Sequence, residues 1–140
     1  MRKQIGTMLT IALIAAVIAW MFWAQCFVPW TPMRIVGAVM VAGGFIGWAT
    51  ARVQLGKSFS IQAKATELVT RGIYSKIRNP VYVFGTIFFA GVFLWLGQPV
   101  LLLLLLVLIP MQIMRAKKEA RVLEDKFGEA YRQYRAKTWF

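Results

Sequence analysis

The chain has 140 residues, 59% of them hydrophobic, with a mean hydropathy of +0.62, whereas a soluble domain is about 45–50% apolar. Seventeen Lys and Arg against five Asp and Glu give a net charge of +12; beside long uncharged runs this excess points to a membrane surface and away from nucleic acid. There is no histidine and one cysteine, Cys26, which excludes an intrachain disulfide, a cysteine-rich metal site, and the commonest general base and zinc ligand. No metal site is expected, and any chemistry rests on carboxylates, Arg, Lys, Tyr and backbone groups.

The first apolar run, Ile5 to Val28, has the length of a bilayer span and exceeds a signal-peptide core. Trp30-Thr31-Pro32 is not a small-residue cleavage site, so this run is expected to stay as a first helix. The second, Ile35 to about Ala51, carries Gly37, Gly43, Gly44 and Gly47. Its Gly43-x-x-x-Gly47 spacing lets helix backbones approach closely in lipid, either within the chain or across a homodimer. The third run, Val81 to Leu96, and the fourth, Pro99 to Met114, are separated only by Gly97 and Gln98, so 80–114 is expected to form a helical hairpin. Trp23, Trp30 and Trp95 lie near run ends, where indoles favour the membrane interface.

Charge orients these segments. Arg52 to Arg78 holds six basic residues and one acid, and the tail from Arg115 holds eight basic residues and four acids. The connection after the first run has only Arg34, and the turn at 97–99 has no charge. The positive-inside rule then gives four spans with both termini cytoplasmic. The expectation is an all-α, polytopic membrane protein of one domain, with a first helical pair at 1–55 and a core at 56–140.

Two polar stretches carry chemical potential. In the loop before the third run, Gly72 permits backbone angles closed to other residues. Pro80 keeps Asn79 out of the helical region and opens the next helix, whose free N–H groups and partial positive charge attract an anion. Arg78 beside it is suited to grip a carboxylate at two points. The same features also describe a basic juxtamembrane loop with a helix cap. In the tail, Glu119, Leu123, Phe127, Tyr131 and Tyr134 recur every three or four residues and are expected on one face of a continuous helix. Glu119 then faces inward and needs a positive partner. That partner is either Arg115, one turn earlier, or a ligand ammonium. Gly128 weakens the helix beyond it.

The stretch Leu68-Val69-Thr70-x-Gly72-x-Tyr74-x-x-x-Arg78-Asn79-Pro80-x-Tyr82 resembles the Gly-x-Tyr…Arg-His-Pro-x-Tyr signature of isoprenylcysteine carboxyl methyltransferases, whose broad family includes phospholipid N-methyltransferases. Glu119-x-x-x-Leu123-x-x-x-Phe127-Gly128-x-x-Tyr131-x-x-Tyr134 resembles that family's second block, with a hairpin between the two. The likeness runs from about Leu55 to Phe140. It implies a helical membrane fold that binds S-adenosyl-L-methionine at the cytoplasmic face and takes a lipophilic acceptor from the bilayer. By position it implies cofactor binding by Leu68, Val69, Gly72, Tyr74, Arg78, Asn79, Pro80, Tyr82 and Glu119. It implies catalytic roles for Glu119, toward the cofactor's amino-acid end, and for Arg115, toward the reacting centre. This chain departs from the pattern in Asn79 for the usual His, Ala120 for the second Glu of a pair, and Thr66 near the place of another His.

The resemblance therefore implies methyl transfer to a lipophilic acceptor, most closely of the isoprenylcysteine carboxyl type. Phospholipid N-methylation, thiol S-methylation and a non-catalytic cofactor-binding protein are the alternatives. Membrane lipids are expected partners, with self-association through the glycine-rich second span as a further option. Transport is disfavoured, because no charge interrupts the four apolar runs and intramembrane ionisable groups usually mark pathways.

Overall fold

The computed structural model describes residues 2–56 and 68–140. Lys57, Lys64, Thr66 and Glu67, used above, lie outside the described residues. Five α-helices follow in chain order: α1 (Arg2–Ala24), α2 (Pro32–Leu55), α3 (Pro80–Trp95), α4 (Leu105–Phe127) and α5 (Glu129–Lys137). Short 3-10 segments at Gly72–Ser75 and Pro99–Leu104 lead toward α3 and α4. The all-helical expectation holds for the described residues.

Local chemistry sets several of these limits. Thr31 caps α2 by accepting from the Arg34 N–H at 3.3 Å, and Pro32 occupies the first turn, where its missing N–H costs nothing. Pro80 opens α3 in the same way. Gly97 turns the chain between α3 and the next segment with φ +71°, an angle side chains rarely adopt.

Among the described residues, three segments are long and apolar enough to cross a membrane: Ile5–Ala24, Pro32–Leu55 and Pro99–Phe127. The third expected run forms α3, which has only 16 residues, about 24 Å at 1.5 Å per residue. That is short of the roughly 30 Å hydrocarbon core. The fourth runs beyond its expected end, because the helix leaving the apolar segment continues without a break into the polar tail as far as Phe127.

The tail itself differs from the continuous helix expected over 119–134. Gly128 takes φ +50° and ends α4, and α5 begins at Glu129. Glu119, Leu123 and Phe127 therefore belong to α4, while Tyr131 and Tyr134 belong to α5. Glu124 bridges the break, accepting from Arg132 at 2.8 Å with Arg135 at 4.0 Å.

The tightest packing joins α2 to α3, and glycine is the reason. A Cβ at Gly44 would stand 2.6 Å from the Phe88 backbone nitrogen, one at Gly91 would stand 2.7 Å from Val41 N, and Gly37 and Gly47 are equally closed by Trp95 and Phe84. Gly43 alone of the second-span glycines has open space. The small-residue face is thus occupied within the chain by α3, and self-association through it would have to displace α3. By contrast, no residue of Ile5–Ala24 is buried, and α1 meets the rest mainly near its end, where Phe22 stacks on Trp95 at 4.4 Å.

This geometry predicts opposite outcomes for neighbouring glycines. Gly44→Leu forces α2 from α3 and should cost on the order of 1–3 kcal/mol, read as a lower melting temperature in detergent. Gly43→Leu should leave melting unchanged or raise it slightly, through better helix propensity. Equal destabilisation by both would contradict the interface.

Candidate active site

The two sequence blocks meet at one end of the α2–α3 pair. The Gly72–Ser75 turn is fastened to the last turns of α2, where the Ile73 N–H donates to Gln54 Oε1 at 2.8 Å. Gly72 has φ +61°, an angle that favours glycine, and a Cβ there would push aside the Gln54 amide that holds the turn. The turn buries Tyr74, whose backbone carbonyl accepts from the Tyr134 hydroxyl at 2.7 Å.

Residues 76–79 are held by the last two residues of the chain. Arg78 N–H donates to Trp139 O, Asn79 N–H donates to Phe140 O, and Trp139 N–H donates to Lys76 O, each at 2.8 Å. Ile77 and Trp139 form a parallel β-bridge. Arg78 is half-buried, and its guanidinium makes one long contact, 3.5 Å, to the Arg135 carbonyl, leaving most of its donors for other use. The Asn79 carbonyl takes the first N–H groups of α3, from Tyr82 and Val83, while its side chain makes no capping bond.

The Tyr82 hydroxyl donates to Glu119 Oε1 at 2.6 Å, the short distance of a charge-assisted bond. This one contact joins the first block on α3 to the second on α4. Among the described residues no ion pair links Glu119 to Arg115, so the partner expected from helical spacing is replaced by a tyrosine. Arg115 is exposed and lies within electrostatic reach of Tyr82. Glu119, Arg52, Tyr82 and Tyr134 all act on Tyr74, and Tyr131 feels Arg78, Arg135, Glu124 and Glu119. Leu68 and Val69 are half-buried in the irregular stretch before the turn, and Pro80 is buried.

Three of the four phenols of this cluster, Tyr74, Tyr131 and Tyr134, are held neutral. Burial, then Tyr134 and Glu119, push Tyr74 well above the usual phenol value. Burial, then Tyr131, push Tyr134 up to about 12. Burial raises Tyr131 as well. At neutral pH all three keep their protons, and the Tyr134 hydroxyl donates its own to the Tyr74 carbonyl.

The structure thus brings together Gly72, Tyr74, Arg78, Asn79, Pro80, Tyr82 and Glu119, with Arg115 at the edge. Sequence reasoning missed Gln54, Arg52 and the 139–140 strap. Gln54 left a weak signal as a polar residue in the last turn of an apolar helix. The strap left none beyond a pair of aromatic residues.

A match to the phospholipid methyltransferase family covers residues 31–130. The chain belongs to this family. The resemblance read from the two sequence blocks is therefore borne out, and the match takes in α2 as well as the hairpin. Protein-S-isoprenylcysteine O-methyltransferase from Schizosaccharomyces pombe is 40% identical over 96 residues, covering 64% of this chain and 41% of that protein. The aligned stretch is thus about two fifths of the relative's length. No solved structure matches. Tyr131, Tyr134 and the 139–140 strap lie beyond the family match, so this part of the cluster stands on the geometry of the chain itself.

Two predictions follow from the cluster. Deleting Trp139 and Phe140 removes three backbone hydrogen bonds but leaves the α2–α3 core. Amide exchange at Arg78 and Asn79 should then rise about tenfold or more while melting of the core changes little; unchanged exchange at both amides would mean that the strap does not form. The raised phenol values give the second. A group whose folded value is raised contributes fully below its unfolded value, 10.0 for tyrosine, and loses that contribution as pH rises through the folded one. Melting temperature should hold up to about pH 10 and fall toward pH 12, with a shallower fall in Tyr134→Phe. A decline beginning near neutrality would point to other groups.

Proposed function

We propose that this chain catalyses methyl transfer from S-adenosyl-L-methionine to a lipophilic acceptor in the membrane, most closely of the isoprenylcysteine carboxyl type. It would be seated with four membrane segments, α3 being the short one, and with both termini and the site at the cytoplasmic face. The observation that carries this reading is the 2.6 Å contact from Tyr82 to Glu119, which unites in one cluster the two blocks on which the family resemblance rests.

The donor set fits the cofactor's zwitterionic end. Glu119 gives one oxygen to Tyr82 and keeps the other for an ammonium, and the Arg78 guanidinium has unspent donors for a carboxylate. Gly72 and the backbone of 76–79, fixed by Gln54 and the strap, would shape the wall beside it. When bound, the cofactor supplies an electrophilic methyl group on a sulfonium, open to in-line displacement. The protein's share is position and electrostatics. Tyr82 holds the Glu119 carboxylate in one orientation, and Arg115 lies on the exposed side, where it would meet an acceptor carboxylate. A carboxylate is already an adequate nucleophile and needs no general base, which suits a chain without histidine.

The family's own name supports a second reading, an amine acceptor of the phospholipid kind. An amine must lose a proton, and the Glu119 carboxylate, held by Tyr82, would take it. Labelled cofactor incubated with the protein in native membranes separates the two. A methyl ester releases label in mild base, whereas an N-methyl group keeps it. Base-stable label would overturn the carboxylate reading, and no incorporation at all would overturn enzymatic function.

The site assignment predicts separate effects for its charged members. Glu119→Gln and Arg78→Ala should each weaken cofactor binding by at least about thirtyfold, from the roughly 2–5 kcal/mol cost of leaving a buried charge unpaired. Arg115→Ala should leave cofactor affinity near the parent value and reduce turnover. Calorimetry with the cofactor and methyl-transfer rates measure the two. If Glu119→Gln and Arg78→Ala bind as the parent does, the cofactor lies elsewhere.

A further inference from the structure

The strap at 139–140 and the segment it holds carry one sign of charge. Residues 71–79 and 133–140 contain Arg71, Lys76, Arg78, Arg135 and Lys137 and no acid. Arg78 is half-buried and the other four are exposed. Arg135 comes within 4.0 Å of Glu124, but among the described residues no ion pair engages Arg71, Lys76 or Lys137. Trp139 stands among these cations. Its backbone is spent, the N–H donating to Lys76 O and the carbonyl accepting from the Arg78 N–H, both at 2.8 Å. Its side chain is not packed away, and the residue is 65% exposed. The depth of this surface follows from α3. The Asn79 N–H donates to Phe140 O, so the strap ends where α3 begins. With 16 residues, about 24 Å, α3 falls short of the roughly 30 Å hydrocarbon core, and a short segment draws its flanking residues into the interface.

We propose that this face docks on anionic lipid headgroups, with the Trp139 indole set into the interface and Lys76 and Lys137 on the phosphates, and that docking keeps the strap closed over residues 76–79. The inference rests on the proposed seating of α3 in the bilayer, and its consequence for the site rests on the cofactor reading of Arg78. The chemistry matches the occupant. An indole favours the headgroup level, and lysines beside an anionic surface are attracted to it over about a Debye length. The coupling follows from the hydrogen bonds. Trp139 joins residues 76–78 through its backbone and meets the membrane with its side chain, so whatever holds the indole also holds the peptide bonds on either side of it. Lys76 lies on the other half of the same pairing, so a headgroup beside both halves favours the paired state over the open one. Lipid charge then sets how fully the wall that carries Arg78 is formed.

The test places the full chain in lipid nanodiscs, either phosphatidylcholine alone or phosphatidylcholine mixed with phosphatidylglycerol, and follows hydrogen exchange at the Arg78 and Asn79 amides. Exchange should be about tenfold slower in the charged discs, and the difference should fade as salt is raised. Trp139→Ala and the double variant Lys76→Gln with Lys137→Gln should each bring exchange in charged discs close to the neutral-disc rate. In phosphatidylcholine alone both should match the parent, which shows that the strap itself still forms. Lys117→Gln with Lys118→Gln removes the same charge from α4 and should keep the full response. Exchange that ignores lipid charge would overturn the docking. So would a response lost equally in the α4 variant, faster exchange of Trp139→Ala in neutral discs, or equal protection in neutral discs by inorganic phosphate, which would make this a site for a soluble anion. Cofactor affinity, measured in the same discs, should tighten severalfold with lipid charge. Amides protected by charged lipid beside a cofactor affinity that does not change would uphold the docking and remove the cofactor from Arg78.

Discussion

The bond from Tyr82 to Glu119 spans 37 residues of sequence at 2.6 Å, and the organisation of α4 depends on it. A carboxylate facing a helix at the membrane boundary demands a donor, because leaving it unpaired costs several kcal/mol. The helical neighbour with the right charge, Arg115, points to solvent instead. The Tyr82 phenol bonds one oxygen of Glu119 and brings no charge of its own. The pairing that holds the structure together therefore leaves the group that a cationic ligand requires.

This polar contact matters because apolar packing between α3 and α4 is sparse, whereas α2 and α3 are in close contact along their length. In lipid no hydrophobic force drives helices together, and association relies on close backbone packing or on interhelical hydrogen bonds. The chain uses one device for each pair. Glycines at 37, 44, 47 and 91 bring α2 and α3 together, and the Tyr82–Glu119 and Thr86–Gln112 bonds bring α4 to α3 at the polar end. The result is a rigid helix pair with a third helix tied at one end, and the residues of both blocks collect where the tie is made.

Much of this was legible in the sequence where the signal is local. Pro80 and Gly97 mark helix ends by their own chemistry, and the spacing of Glu119, Leu123 and Phe127 marks one face of a helix. Prediction failed where the deciding contact is distant. The strap depends on residues 139–140 reaching residues 76–79, and no periodicity records that. Tyr134 meets the Tyr74 carbonyl across 60 residues, although the face it was assigned to ends at Gly128. That glycine was visible as a weak point. What the sequence could not say is that it would adopt φ +50° and stop the helix, because Glu124 draws Arg132 back across the break. The length of α3 was legible, since the run Val81 to Leu96 and the helix Pro80–Trp95 both hold 16 residues. Its apolar composition reads as a span, but its start is set by Pro80 and its end by Gly97.

The opposite end of the molecule explains why the site can be so basic. Arg34 is the basic residue of the connection between α1 and α2, and it is 5% exposed. Its guanidinium lies over the Trp95 ring at 5.6 Å and donates to Gln25 Oε1 at 3.1 Å, beside the last turn of α3, where helix carbonyls present partial negative charge. An arginine held in this way is removed from the charge that either membrane surface sees. The asymmetry is then sharper than a count of residues gives. Among the described residues, one end carries Arg34, folded inward against an indole, while the other carries Arg71, Lys76, Lys117, Lys118, Arg121 and Arg135 on the outside. Such a field favours one orientation in the bilayer, and it surrounds the Glu119 carboxylate with cations. For an anionic acceptor the same field would be an advantage, since it draws negative charge toward the end that carries Arg78, Arg115 and the Tyr82–Glu119 pair.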